Sequence, residues 1–229
     1  HDAFLDRDDT NNLDEAVARG RLHYQADDRN QLDLTLLYIN VNNGYDAFSL
    51  DNTRTTYSNQ PGQDKQKTHA AALTWTSEAS EAFDLKVLLS GSQSETDYGY
   101  DEDWAYGEYD WDSGDCIVSA GPCLADAWGY SSTDQYLRNH QRREVDVRLT
   151  STEAGRLFND STDWVVGVYG MSRNEDMTRY YTWNADTFYS DLRTASRAVY
   201  GELGMDLTET LVVTAGVRAE RWTTDYSDS

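Results

Sequence analysis

The chain is poor in the features that mark most other protein classes. No apolar run is long enough to form a membrane-spanning helix. The low mean hydropathy leaves a membrane protein open, because a β-barrel hides its signal in alternation and carries large polar loops. Prolines number two, cysteines two and histidines four. The histidines, His1, His23, His69 and His140, sit in no nucleophile motif or metal-ligand spacing. Paired carboxylates are too plentiful to be diagnostic of glycoside hydrolysis, so the residues point to no enzyme and no resident cofactor or metal. Lys and Arg are absent from Val87 to Gln135, where Glu95, Asp97, Asp101, Glu102, Asp103, Glu108, Asp110, Asp112 and Asp115 accumulate. With a net charge of −22, such a field repels nucleic acid and attracts cations. Neither Asp101-Glu-Asp103 nor Asp110-x-Asp112-x-x-Asp115 has the spacing of a calcium-binding EF-hand loop.

Cys116 and Cys123 flank Ser119-Ala-Gly-Pro122 in the same acidic stretch. Six residues with a Gly-Pro turn let two Cα atoms come within disulfide range, so a local staple is expected. A metal pair is disfavoured by the lack of CxxC spacing and of a nearby histidine. The N-terminus, His1-Asp-Ala-Phe-Leu, lacks the basic segment and apolar core of a signal peptide.

What the chain does have is long alternation. From Leu211 to Trp222, Leu211, Val213, Ala215, Val217 and Ala219 fall on one face, and Thr214, Gly216, Arg218, Glu220 and Trp222 on the other. The run matches the ~9 to 11 residues a tilted strand needs to cross a bilayer. The same pattern predicts strands near 16–26, 31–40, 67–77, 83–94, 141–151, 163–171, 195–206 and 211–222. They form four hairpins with short polar turns at one end and long loops, near 41–66, 95–140 and 172–194, at the other. Short turns on one side and long loops on the other mark an outer-membrane barrel. Arg19, Arg21, His23, Arg142, Arg148, Arg218 and Glu220 then face the lumen, with cross-strand ion pairs stiffening the wall. Trp164 and Trp222 are candidates for the aromatic girdles. The strand at 163–171 is apolar on both faces, so alternation leaves its orientation open.

A soluble all-β domain that binds a cation also alternates and stays open at this point, as does a small closed eight-stranded barrel. The chain begins in what reads as an external loop and stops just past the eighth strand, so we expect an internal piece of a larger wall.

Three stretches resemble the barrel domain of TonB-dependent outer-membrane receptors. Ala198-Val-Tyr-Gly-Glu-Leu, Leu207-Thr-Glu-Thr-Leu and Thr214-Ala-Gly-Val-Arg-Ala-Glu-Arg221 are similar to a hairpin that recurs in these receptors. Arg142-Arg-Glu-Val-Asp-Val-Arg-Leu-Thr-Ser151 with Asp163-Trp-Val-Val-Gly-Val-Tyr169 resembles a mid-barrel strand pair. Asn43-Gly-Tyr-Asp-Ala-Phe-Ser-Leu-Asp-Asn52 resembles an external loop. The resemblance implies an all-β antiparallel barrel of about 22 strands in a Gram-negative bacterial outer membrane. It implies uptake of a scarce solute, a ferric siderophore or similar iron chelate, with oligosaccharide (glycan) or cobalamin as other possibilities. The partners it implies are outer-membrane lipid and the TonB energy-coupling protein, reached through an N-terminal region this chain does not contain. The solute-binding candidates are the external-loop residues Tyr98, Tyr100, Asp101, Asp103, Trp104, Tyr106, Tyr109 and Trp111, since aromatic faces give large contact area at low entropic cost.

Overall fold

The computed structural model describes residues 2, 7–49, 52–104 and 132–229, and between the last two stretches the backbone of 109–110 and 115–116. Ten strands follow in chain order. They are β1 (Glu15–Asp27), β2 (Asn30–Tyr45), β3 (Gly62–Ser77), β4 (Phe83–Asp101), β5 (Tyr109–Asp110), β6 (Asp115–Cys116), β7 (Thr133–Ser151), β8 (Thr162–Tyr181), β9 (Phe188–Thr208) and β10 (Leu211–Asp228). Apart from the short β5–β6 pair, they form one antiparallel meander in the order β1-β2-β3-β4-β7-β8-β9-β10. β1 and β10 do not pair with each other, so the sheet is open.

Tight turns at one end have local causes. Between β1 and β2, the Asp27 carboxylate accepts from the Arg29 backbone N–H at 2.8 Å and the Asn30 side chain at 2.9 Å, closing the bend in two residues. Between β7 and β8 a 3₁₀ turn (Glu153–Gly155) leads into Phe158, Asn159 and Asp160, all with positive φ. Gly155 is required there, because a Cβ would lie 1.6 Å from the Ala82 carbonyl oxygen.

The strands run well past the predicted ends on the other side. β4 continues to Asp101, β7 starts at Thr133, and β8 and β9 reach Tyr181 and Phe188. Their extensions are mostly polar or aromatic, with Leu137, Met177 and Leu192 too scattered to make a stripe, so the apolar alternation stops short of them. The expected loop at 172–194 shrinks to 182–187, shorter than the 152–161 turn at the opposite end.

Register sorts the side chains into two faces. On the apolar face Ala219, Val199, Val168, Val147, Val87, Trp75 and Leu32 form one continuous cross-strand row. This settles β8, placing Trp164, Val166 and Val168 on the apolar face and Val165, Gly167 and Tyr169 on the polar one. The apolar stripe does not run along that row. It ends at Ala219 on β10 but at Tyr38 on β2, six positions beyond Leu32. A drift of about one residue per strand, with a ~3.3 Å rise and ~4.8 Å strand spacing, corresponds to strands tilted by roughly 35° to a membrane normal.

Burial is inverted relative to a soluble domain. Ala198 is the one apolar residue buried among those described, whereas Val217 (74 %), Val199 (58 %) and Val168 (51 %) stand exposed on the apolar face. A soluble sandwich would bury that face against a second layer; here no second layer exists among the described residues. Phe83, Trp164, Trp75 and Tyr24 occupy the turn-side margin of the stripe, following its drift. Trp75 donates to Asn30 Oδ1 at 3.1 Å and Trp164 to the Gly155 carbonyl at 2.9 Å, the wet-tip, apolar-body arrangement of an interfacial girdle. Trp222 does not join them. It pairs with Ser196 on the polar face, because its even position places it with Arg218 and Glu220.

Candidate functional site

The seven residues expected in the lumen share the polar face. Glu220 lies in one row with Ala198, Tyr169, Asp146, Asp33 and His23, while Arg218 aligns with Tyr200, Gly167 and Arg148. Arg19, Arg21 and Arg142 occupy the same face further from the turns. The expected cross-strand ion pairs take a different form. Arg142 holds Glu144 at 2.7 Å, Arg218 holds Glu220 at 2.9 Å, and Arg148 lies 3.7 Å from Asp146, all two residues apart on one strand. Residues i and i+2 lie on the same face of a strand, within reach of a long guanidinium. Among these wall charges, cross-strand ties come instead from hydroxyls. Tyr169 Oη donates to Glu144 at 2.6 Å, Tyr200 Oη to Asp146 at 2.9 Å, and Ser196 to Glu220. His23 Nδ1 lies 2.9 Å from Asp33 Oδ1, a cross-strand hydrogen bond on β1–β2.

Above the apolar stripe the polar face turns aromatic. Tyr45 of β2 packs on Tyr98 of β4 with ring centroids 5.0 Å apart, and Tyr98 reaches Tyr100 (5.8 Å) and Tyr136 of β7 (6.5 Å). Phe48, just past β2, stacks on Trp104 at 4.7 Å with planes 8° apart. Arg138 and Arg179 sit over the Tyr136 ring at 4.9 and 5.1 Å. Arg179 is held bidentately by buried Asp134, through bonds of 2.8 and 2.6 Å. Arg138 makes no such pair among the described residues, leaving a cation at the mouth of a strongly acidic chain. Aromatic and cationic groups thus line a vestibule whose walls are strands rather than loops.

Two predicted ligands, Asp101 and Asp103, are 4 % and 3 % exposed and do not open onto this vestibule. Asp101 Oδ2 accepts from Ser58 Oγ at 2.6 Å and from the Asn59 and Gln60 backbone N–H groups, while Asp103 Oδ1 accepts from the Ser132 N–H at 2.9 Å. They tie the 46–61 connection to the base of the acidic stretch. Asp101 Oδ1 and Asp103 Oδ2 are buried with no other hydrogen bond, and a proton held between the two carboxyls satisfies both. Burial and the neighbouring Asp101 push the Asp103 carboxyl up to about 8. A carboxyl raised in the folded state favours closure when protonated. The tie is therefore strongest near pH 4 and weakens as pH rises towards 8. Protection of the Asn59 and Gln60 amides, taken relative to their intrinsic base-catalysed exchange, should fall over that window, and Asp103→Asn should flatten that fall. Protection that holds or rises from pH 4 to pH 8 would contradict the shared proton.

Tyr98, Tyr100 and Trp104 belong to these aromatic clusters. The side chains of Tyr106, Tyr109, Trp111, Cys116 and Cys123 lie outside the described residues. Sequence reasoning missed Tyr45, Phe48, Arg138, Arg179 and Tyr181, whose ring Arg179 covers at 4.7 Å; they come together through the pairing of strands and not through proximity in sequence. Asn43-Gly-Tyr-Asp-Ala-Phe was singled out as a loop, and it carries two of them.

The family model described as TonB dependent receptor-like, beta-barrel matches residues 3–229. The chain belongs to the TonB-dependent receptor β-barrel family. Members of this family are transport receptors of Gram-negative outer membranes. Among solved structures, the ferric yersiniabactin uptake receptor FyuA from Yersinia pestis superposes with a TM-score of 0.66 at 13 % identity, covering 94 % of this chain and 31 % of that one. The ferric citrate transporter FecA, unliganded, superposes at 0.63 and 14 % identity, covering 94 % and 30 %. No curated protein sequence matches at a significant level. The receptor segment described here thus spans about a third of the solved receptors it resembles.

Proposed function

We propose that this chain is part of the wall of an outer-membrane receptor that captures a scarce ferric chelate at its external mouth. The chelate then passes inward by energy coupled through TonB. The observation that carries the reading is the vestibule. Tyr45, Tyr98, Tyr100, Tyr136 and Arg138 project from the face that bears the charged wall, beyond the end of the lipid-compatible stripe on the opposite face. Flat aromatic faces and an arginine without a carboxylate partner among the described residues suit a large, partly aromatic, anionic chelate. The same rings would also stack on sugars, which makes an oligosaccharide the second reading. FyuA and FecA, the structural neighbours, are named for ferric yersiniabactin and ferric citrate, which supports the first.

In this reading the apolar face meets lipid, the ion-paired face lines the lumen, and no covalent chemistry is required of the barrel. A tryptophan-quenching titration of the complete receptor against ferric chelates, cobalamin and oligosaccharides tests it. Saturable binding of a ferric chelate, absent for the iron-free ligand and the glycans, is the expected result. Binding of glycans alone would replace the first reading with the second.

A further inference from the structure

The apolar stripe ends on three strands at an arginine: Arg143 follows Val145 on β7, Arg197 follows Val199 on β9, and Arg221 follows Ala219 on β10. Arg143, Arg197 and Arg221 lie eight, eleven and ten residues along their strands from the turn end, near the far margin of a bilayer. All three are exposed and make no ion pair among the described residues. In a chain with 41 acidic and 19 basic residues, that is not the default. On the polar face nearby, Arg142, Arg173 and Arg218 each hold a carboxylate at 2.7 to 2.9 Å. Arg143 and Arg197 also have hydrogen-bonded strands on both sides, so no further strand can bring a counter-charge beside them. Arg197 and Arg221 are direct cross-strand partners, and like charges placed opposite each other destabilise a sheet unless an anion sits between them. The positions between Arg197 and Arg143 on this face are Gly170, Ser172 and Ala195, which leave a shallow floor flanked by guanidinium groups.

We propose that Arg143, Arg197 and Arg221 form a binding site for the phosphate of an outer-leaflet lipid, whose acyl chains lie along the apolar stripe beneath. The proposal rests on the reading of this face as lipid-exposed. It commits to a lipid phosphate over free phosphate, because the cations are continuous with an apolar surface that only an acylated ligand can cover. Guanidinium groups suit a phosphate through paired N–H donors, and each basic side chain near a membrane surface contributes about fivefold in affinity for an anionic lipid.

The test is native mass spectrometry of the complete, detergent-solubilised receptor titrated with phosphatidic acid and with phosphatidylcholine. Wild type should retain phosphatidic acid at least tenfold better than phosphatidylcholine. The R143Q/R197Q/R221Q variant should lose most of that preference. R173Q removes one charge from the opposite face and should keep it. Equal preference in the triple variant, or an equal loss in R173Q, overturns the site, as does displacement of phosphatidic acid by inorganic phosphate alone. Lipid preference is read without solute or energy source, so a receptor that failed to import a chelate would leave this result standing.

Discussion

Replacing Tyr98 and Trp104 together by alanine in the complete receptor is expected to weaken solute binding by about 10- to 100-fold while the barrel still folds. Buried aromatic anchors carry a disproportionate share of binding energy, roughly 2 kcal/mol or more at the strongest positions, and these two are the centres of the vestibule's two clusters. Tyr98 touches Tyr45, Tyr100 and Tyr136, and Trp104 is stacked on Phe48 while still 38 % exposed. Neither belongs to the apolar stripe, so their loss removes contact area from the mouth without touching the lipid-facing surface. Phenylalanine at both positions should restore most of the affinity, since ring faces supply the larger part of the contact. The check is a binding titration alongside a heat-modifiability gel that reports barrel folding. Unchanged affinity in the alanine variant would mean that these rings only pack the rim.

The second large effect is expected at Gly167. The Tyr200 ring of the neighbouring strand lies across this glycine, so a Cβ would fall 2.3 Å from Tyr200 Cζ and 2.4 Å from its hydroxyl oxygen. Tyr200 cannot move without cost. Its hydroxyl donates to Asp146 at 2.9 Å and accepts from Arg148 at 3.1 Å, and Arg218 stacks over the ring at 5.8 Å. Gly167→Val therefore displaces the ring and deprives Asp146 and Arg148 of their shared hydroxyl partner at once. We expect a loss of about 3 kcal/mol and a clear fall in folded receptor. Combining it with Tyr200→Ala should recover part of the loss, because the clash then has no second party. A urea titration of the refolded proteins in vesicles reads both, and full stability of Gly167→Val alone would contradict the packing described.

Alternation made the two faces legible wherever one face had to be apolar. Arg19, Arg21, His23, Arg148, Arg218 and Glu220 were assignable to one side because each has a Val, Leu or Ala neighbour, and Arg142 because it keeps the parity of Glu144, Asp146 and Arg148 opposite Val145 and Val147. Where that demand ends, legibility ends too. The upper halves of β4, β7, β8 and β9 stand above the stripe with no apolar face to mark them, so residues such as Tyr136 and Arg179 read as loop although they are strand. β8 was ambiguous because Val165 and Gly167 are as apolar as Val166 and Val168. Only pairing with Tyr200 explains why the polar face tolerates a glycine there. The vestibule was half legible. Tyr98, Tyr100 and Trp104 are close in sequence, but Tyr45 joins them through the β2–β3–β4 register and Phe48 follows just past the end of β2, a long-range fact. The acids of the Asp101–Asp103 pair drew attention as potential ligands. Their burial, and their role as a tie between two external segments, depended on where Ser58, Asn59, Gln60 and Ser132 fold.

The most direct test of the account is uptake of radiolabelled ferric chelate by cells carrying the complete receptor, measured with and without the inner-membrane coupling protein. Accumulation that depends on both the receptor and the coupling protein, with surface binding preserved when coupling is removed, is the predicted result. Equal accumulation in the uncoupled cells would contradict an energy-coupled receptor and leave a passive barrel in its place.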